Sequence, residues 1–272
     1  MQPFKFLRAL LLPVVCLALS APTIEAQARD IAAIKASGKL IVAVPNVRTP
    51  PFFFDDKGEL KGLDIDMAKS IAESLGVKVE FNRDAKSFND AVQLVAIDKA
   101  DMSAAKISRT LPRAQTVLFT DPYLVLPHAL LVNRLRFAEI AHGRPVAQVL
   151  QQYTGTIGVI AKSSFADFAK TNFPKADIVE FDKWDDVVDA VSTGKVTVAY
   201  RDAFEAKRIF KVRPDLALTV RSVLIEDITD TIGIAVGPNN FHLQAYLNLY
   251  MNQKGIKYTS DQILSKYENF LR

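Results

Sequence analysis

Between Lys106 and Tyr123 the chain reads KISRTLPRAQTVLFTDPY, a run in which hydroxyl and cationic side chains are spaced for contact with an anion. Thr110 and Pro112 mark a helix start, so Arg113 falls in a first turn, where the macrodipole is positive and a cation is disfavoured. An anion held jointly by the guanidinium and the bare N–H groups of that turn would offset the cost. The competing reading is a solvated surface arginine. A second segment, Arg201-Asp202-Ala203-Phe204-Glu205, places two carboxylates three residues apart. Asp after a strand caps a helix readily, and Glu in the first turn is favoured by the dipole alone. The three histidines, His128, His142 and His242, stand far apart, and no GxGxxG or P-loop spacing occurs. No metal or nucleotide cofactor is therefore expected.

The elements that must carry these residues alternate between strand and helix patterns, which predicts an α/β fold with mainly parallel sheet. Strands are expected at 40–44, 77–81 and 100–105, with Asp64 capping a helix that buries Met67, Ala68, Ile71, Ala72 and Leu75 and closes at Gly76. Phe88 to Ile97 reads as a helix. The pattern then restarts, with strands at 156–160, 178–181 and 196–200 and helices at 165–172, 187–192 and 203–210. A last strand at 231–236 precedes two helical segments. Two α/β units of about 100 residues each fit ordinary domain sizes. Ligands of such sheets sit beyond the carboxyl ends of the strands, here the turns 45–54, 106–113, 161–164 and 201–205.

A chain of 272 residues with 49% hydrophobic content and both charge signs intermixed is long enough to bury one large core or two modest ones. Its first 28 residues have a basic start at Lys5 and Arg8, an apolar run over 9–21 and small residues at Ala26 and Ala28. This predicts a cleavable secretory signal, cut after Ala26 or Ala28, and a periplasmic location. The apolar run is too short for a spanning helix, which needs about 20 residues. The single cysteine, Cys16, lies inside that segment, and the residues before it do not suit lipid attachment. Removing Lys5, Arg8 and Glu25 leaves 32 basic and 29 acidic residues, a charge of +3. That is too small and dispersed to indicate nucleic acid.

Several stretches together resemble the bacterial solute-binding protein family that serves polar amino acid ABC transporters. They are Pro50-Pro51-Phe52, Gly58 through Ala68, Ser108-x-Thr110-x-x-Arg113, Phe119 through Tyr123, Thr156 through Val159, Lys162-Ser163-Ser164, and Gly194-Lys195-Val196 leading to Asp202. The resemblance implies a two-lobed, type II periplasmic binding protein fold. Each lobe would be a mainly parallel sheet flanked by helices, with two hinge strands crossing near 123–126 and 228–231. Lobe 1 would then be residues 29–124 with 230–272, and lobe 2 residues 125–229. It further implies that Arg113 clamps a ligand carboxylate, aided by the Ser108 hydroxyl and a backbone N–H at Ser164. Asp202 would hold an α-ammonium, and Phe88 would pack against the ligand side chain. Ser163, Thr49 and Asn46 fall beside these places and complete the expected ligand contacts.

The departures from the family matter as well. Thr49 stands where an aromatic is common, Lys106 where a small residue is preferred and Lys162 where glycine is. If both lysines face the cleft they select a second anionic group; otherwise both point to solvent. The function implied is that of a monomeric, periplasmic binding protein without cofactor. It would capture a small anionic or zwitterionic solute for a membrane ABC permease. The alternatives are a dehydratase of the same fold, resembling cyclohexadienyl dehydratase with Glu205 as proton donor, and a sensor protein that presents its closed lobes to a receptor.

Overall fold

The computed structural model describes residues 29–271, so the expected signal segment lies outside the described residues. The first half runs α1 (Ile31–Ser37), β1 (Lys39–Ala43), a small hairpin of β2 (Phe54–Asp56) and β3 (Glu59–Lys61), α2 (Leu63–Leu75), β4 (Lys78–Asn82), α3 (Phe88–Ala96), β5 (Met102–Ser108), α4 (Leu111–Ala114) and β6 (Leu118–Phe119). The chain then crosses on β7 (Leu124–Asn133) into α5 (Arg134–Ala141), α6 (Val146–Gln151), β8 (Thr156–Ile160), α7 (Ser164–Asn172), β9 (Asp177–Phe181), α8 (Trp184–Thr193), β10 (Val198–Asp202) and α9 (Ala203–Val212). It returns on β11 (Val220–Val236) and ends in α10 (Phe241–Gln253) and α11 (Ser260–Lys266).

The strands pair in the order β4-β1-β5-β11-β7-β10-β8-β9, with β6 on β11. The strands that alternate with helices pair in parallel, β1 with β4 and β5, and β8 with β9 and β10, while β7 joins β10 and β11 joins β5 and β6 antiparallel. The two halves meet through the antiparallel pair β7 and β11. This is the two-lobed type II arrangement, with the crossing strands as hinges. Their register slips between Ile225 and Thr229, which loosens the ladder where the lobes join. One apolar cluster, built around Leu40, Val42, Ile71 and Ala104, fills the first lobe. Two others, around Val187 and Ala199 and around Val159 and Phe165, sandwich the second lobe's part of the sheet.

Local chemistry explains most element ends. Gly76 and Gly194 close α2 and α8 in the left-handed region at φ 72° and 78°. Several findings differ from expectation: the strand expected at 196–200 lies at 198–202, the helix expected at 187–192 runs from 184 to 193, α5 and α6 are unexpected, and three further differences bear on the site. α2 starts at Leu63, with Gly62 rather than Asp64 before it. Gly62 has φ 125° and lies so close to Phe52 that a Cβ would meet its carbonyl oxygen at 2.4 Å. The third strand is displaced two to three residues toward Ser108 because its small residues are buried throughout and give no alternation to read. The last strand is 17 residues long rather than six, because its first part is half exposed and lacks a buried face.

Candidate functional site

Arg113 sits in a helix of only four residues, so the dipole argument for its position has little force. The arginine is nonetheless buried, 7% exposed. Nη1 donates to the Ser108 carbonyl at 3.0 Å, and Nε and Nη2 donate to Asn89 Oδ1 at 3.1 and 2.8 Å. All of these acceptors are uncharged. Burial depresses the guanidinium to about 10, against the weaker pull of Asp230 and Asp167. A buried cation whose direct partners are all neutral is a site prepared for an anion.

Next to it the Ser108 hydroxyl donates to Asp230 Oδ2 at 2.8 Å and lies 2.7 Å from the Ser164 hydroxyl. With Ser108's one hydrogen on Asp230, Ser164 is the donor in the second contact. Ser164 opens α7, whose N-cap is Ser163, accepting from Ala166 N–H at 3.4 Å. Asp230, on the hinge strand β11, is 2% exposed, and its Oδ1 has no hydrogen-bond partner among the described residues. Burial raises its carboxyl to about 7; Asp202 adds to the rise, while the Ser108 hydrogen bond, Lys106 and Arg113 oppose it.

Opposite stands Lys106, 4% exposed and at φ 52°, where the absence of a Cβ would be an advantage. Its backbone N–H donates to Asp64 Oδ2 at 2.7 Å, and Asp64 also accepts from the Tyr123 hydroxyl at 2.9 Å. That is the task Asp64 performs in place of the expected cap. Lys106 Nζ reaches Asp202 Oδ2 at 2.8 Å and Glu205 Oε1 at 3.5 Å, over the ring of Phe52 at 4.8 Å. Lys106 is therefore neither solvated nor free for an anion: its charge faces two carboxylates. Lys162 behaves oppositely. Its side chain is exposed, its φ is 50°, and only its carbonyl takes part, accepting from Asn89 N–H at 3.4 Å.

Asp202 caps α9 by accepting from Glu205 N–H at 3.1 Å, as a residue following a strand should. Burial works to raise its carboxyl, but Lys106 and Arg201 outweigh it and hold Asp202 below its ordinary value. Burial likewise opposes ionisation of Glu205, and Arg208, with Nε 2.8 Å from Glu205 Oε2, overcomes it with help from Lys106 and Arg201. Arg201 Nε lies 3.4 Å from Asp202 Oδ2 without a formed hydrogen bond, and the guanidinium is caged by the rings of Phe88, Phe165 and Trp184 at 5.6–5.8 Å.

These groups converge on one cavity of about 10 Å³, room for about one water, lined by Phe88, Lys106, Ser108, Arg113, Ser163 and Ser164 together with Arg201, Asp202 and Asp230. Phe88 and Arg201 also line a wider groove of about 510 Å³, which takes in Asn46, Thr49, Trp184 and Glu205. The structure thus brings Arg113, Ser108, Asp202, Phe88, Ser163, Ser164 and Lys106 to one cavity, and places Thr49 and Asn46 on the adjoining groove. The Lys162 side chain lines neither. Sequence reasoning missed Arg201, Asp230 and Asn89. Arg201 had a signal, since it shares a strand-to-helix turn with Asp202. Asn89 had the same kind of signal, as the neighbour of Phe88, and Asp230 fell within the expected hinge crossing at 228–231, but nothing local showed that either side chain turns toward Arg113 and Ser108.

Residues 40–267 match the profile of the bacterial extracellular solute-binding proteins, family 3. A cyclohexadienyl dehydratase of Pseudomonas aeruginosa is 29% identical over 216 residues, 78% of this chain and 77% of that one. A probable amino-acid ABC transporter periplasmic-binding protein of Sinorhizobium fredii is 26% identical over 164 residues, 60% of this chain and about half, 53%, of its own length. The fold is similar to that of an ancestral amino acid-binding protein, a precursor of cyclohexadienyl dehydratase, with a TM-score of 0.69 at 25% identity, covering 87% of this chain and 98% of that one.

Proposed function

We propose, since this chain belongs to the bacterial extracellular solute-binding proteins of family 3, that it captures a small carboxylate-bearing solute between its lobes in the periplasm and presents it to an ABC permease. The lobes in this reading are residues 29–124 with 230–272 and residues 125–229. The observation that carries it is Arg113, a buried guanidinium with only neutral partners at a cavity between the lobes. Arg113 and the hydroxyls of Ser108 and Ser164 hold the carboxylate. Asp202, Phe88, Ser163 and Lys106 form the rest of the inner wall, and Thr49 and Asn46 border the mouth. Lys162 contributes its backbone, not its charge. Mass spectrometry of small molecules released on denaturing the purified protein tests this directly: a carboxylate is expected, and a neutral or purely cationic solute would refute it.

A dehydratase reading is favoured by the Pseudomonas relative and by the buried Glu205 beside Lys106. Against it, Arg208 and Lys106 hold Glu205 ionised, the wrong state for a proton donor. Incubation with prephenate or arogenate should yield no phenylpyruvate or phenylalanine above the spontaneous rate. Turnover that disappears in Glu205→Gln would establish the enzyme instead.

A further inference from the structure

The charges around the cavity do not balance. Lys106, Arg113 and Arg201 line it, against the carboxyls of Asp202 and Asp230. Asp202 is already committed, with Lys106 Nζ at 2.8 Å and Arg201 Nε at 3.4 Å on one oxygen and the Glu205 N–H on the other. Glu205, the second partner of Lys106, is shared with Arg208. Lys106 thus occupies Asp202 from inside the protein, and a ligand ammonium arriving there would have to displace a buried lysine with nowhere else to place its charge. Among the described residues Arg113 has no carboxylate partner within hydrogen-bond distance, and Arg201 has only the 3.4 Å ion pair of its Nε with Asp202, with no hydrogen bond formed there. Asp230 balances one of these arginines only when ionised, a state its burial opposes.

We propose that the solute is a dianion without an ammonium group, such as a small dicarboxylate, with one anionic group on Arg113, Ser108 and Ser164 and the other on Arg201. Arg201 is then the residue that sets specificity, reaching from the opposite lobe at the point where the cavity joins the groove. Its three-ring cage fixes the guanidinium plane while leaving Nε without a formed hydrogen bond among the described residues. The unpartnered Asp230 Oδ1, when it carries the proton, donates to a ligand carboxylate, which would otherwise be repelled there. This inference rests on the solute-binding reading and narrows it to one ligand class.

The test is isothermal titration of the full secreted protein, stripped in denaturant and refolded, with malonate, succinate, glutarate, butyrate, glutamate and arginine. The tightest dicarboxylate should bind about 30-fold or more tightly than butyrate, the scale expected for a second buried charge pair. Arg201→Gln should bring that dicarboxylate down to the butyrate level and change butyrate by no more than about twofold. Arg201→Lys keeps the charge, guards against a folding defect and should retain part of the preference. Glutamate or arginine binding more tightly than malonate, succinate and glutarate would overturn the inference and leave the solute-binding reading intact. So would an Arg201→Gln variant that weakens butyrate and dicarboxylate alike. If none of the six binds the stripped protein and mass spectrometry of the unstripped protein finds no carboxylate, both readings fall together.

Discussion

Arg113 and Lys106 are both buried cations in one cleft, and their partners give them opposite tasks. Arg113 donates only to neutral oxygens, so in the proposed reading its charge is available to a ligand. Arg113→Ala should cost about 2–5 kcal/mol of ligand binding, as loss of one member of a buried charge pair does. Titration calorimetry with the native ligand checks this, and unchanged affinity would remove Arg113 from the site. Lys106 is an internal counter-ion to Asp202 and Glu205. Lys106→Ser should destabilise the protein by about 3 kcal/mol, the low end for a broken buried pair, because Arg201 and Arg208 still face those carboxylates. The same change strips Asp202 of its nearest cation, so the variant should gain binding of glutamate relative to succinate. A thermal-shift comparison reads both effects, and a variant with no gain in the glutamate response would show that Lys106 does not exclude ammonium groups.

At the scale of elements, the hinge strand β11 carries a titratable group into the cavity. The ordinary value of Asp230 is 3.8 and its value in the fold is about 7, because burial disfavours the anion. The stability it contributes is fully present below about 3.8 and is lost as pH rises through about 7. Lys106, Arg113 and Asp202 face it from β5, α4 and β10, and Tyr200 also senses its charge. Asp64, likewise raised by burial to about 7, has the same sign. His128, pushed down by burial from 6.5 to about 4, has the opposite one, its contribution being present above 6.5 and lost as pH falls through about 4. Comparison with Asp230→Asn isolates the hinge residue from both. The melting temperature of the wild type minus that of the variant should fall between about pH 4 and about pH 7, and a flat difference would mean that Asp230 does not titrate there. Gly62 is the tightest backbone position before α2, and Gly62→Ala should destabilise the fold by about 1–3 kcal/mol, whereas Gly38→Ala, with open space around it, meets only the φ penalty. Chemical denaturation of the two variants provides the check.

Over the whole molecule, closure is held by contacts that cross the cleft. Besides Lys106 with Asp202 and Ser108 with Ser164, Phe204 of α9 packs edge-on against Phe52 at 5.0 Å and is buried in the first lobe's apolar cluster. Arg208 Nη1 donates to the Leu271 carbonyl at 2.7 Å, and Lys207 and Lys211 reach Asp261 and Glu268 at the surface. The exposed pairs contribute little, while Phe204 buries a full ring. Phe204→Ala should therefore favour the open form, weakening ligand binding and enlarging the radius of gyration measured by solution scattering. Equal radii for wild type and variant, with and without ligand, would show that this ring does not control closure.

The alternation of strand and helix, the capping at Gly76, Gly194 and Asp202, and the Ser108 to Arg113 spacing are local features, governed by residues a few positions apart, so the sequence alone determined them along with the family likeness. Which charges confront each other depends on contacts between distant segments, and only the tertiary structure decided it. Lys106 and Asp202 are 96 residues apart and Ser108 and Asp230 are 122 apart. No periodicity encodes such a meeting, and the sequence therefore left Lys106 between solvent and ligand when it has neither. Lys162, equivalent to it by residue type alone, is exposed and has no ion pair among the described residues. The balance between those two lysines comes from burial and partner charge, which exist only once the two lobes have closed on each other.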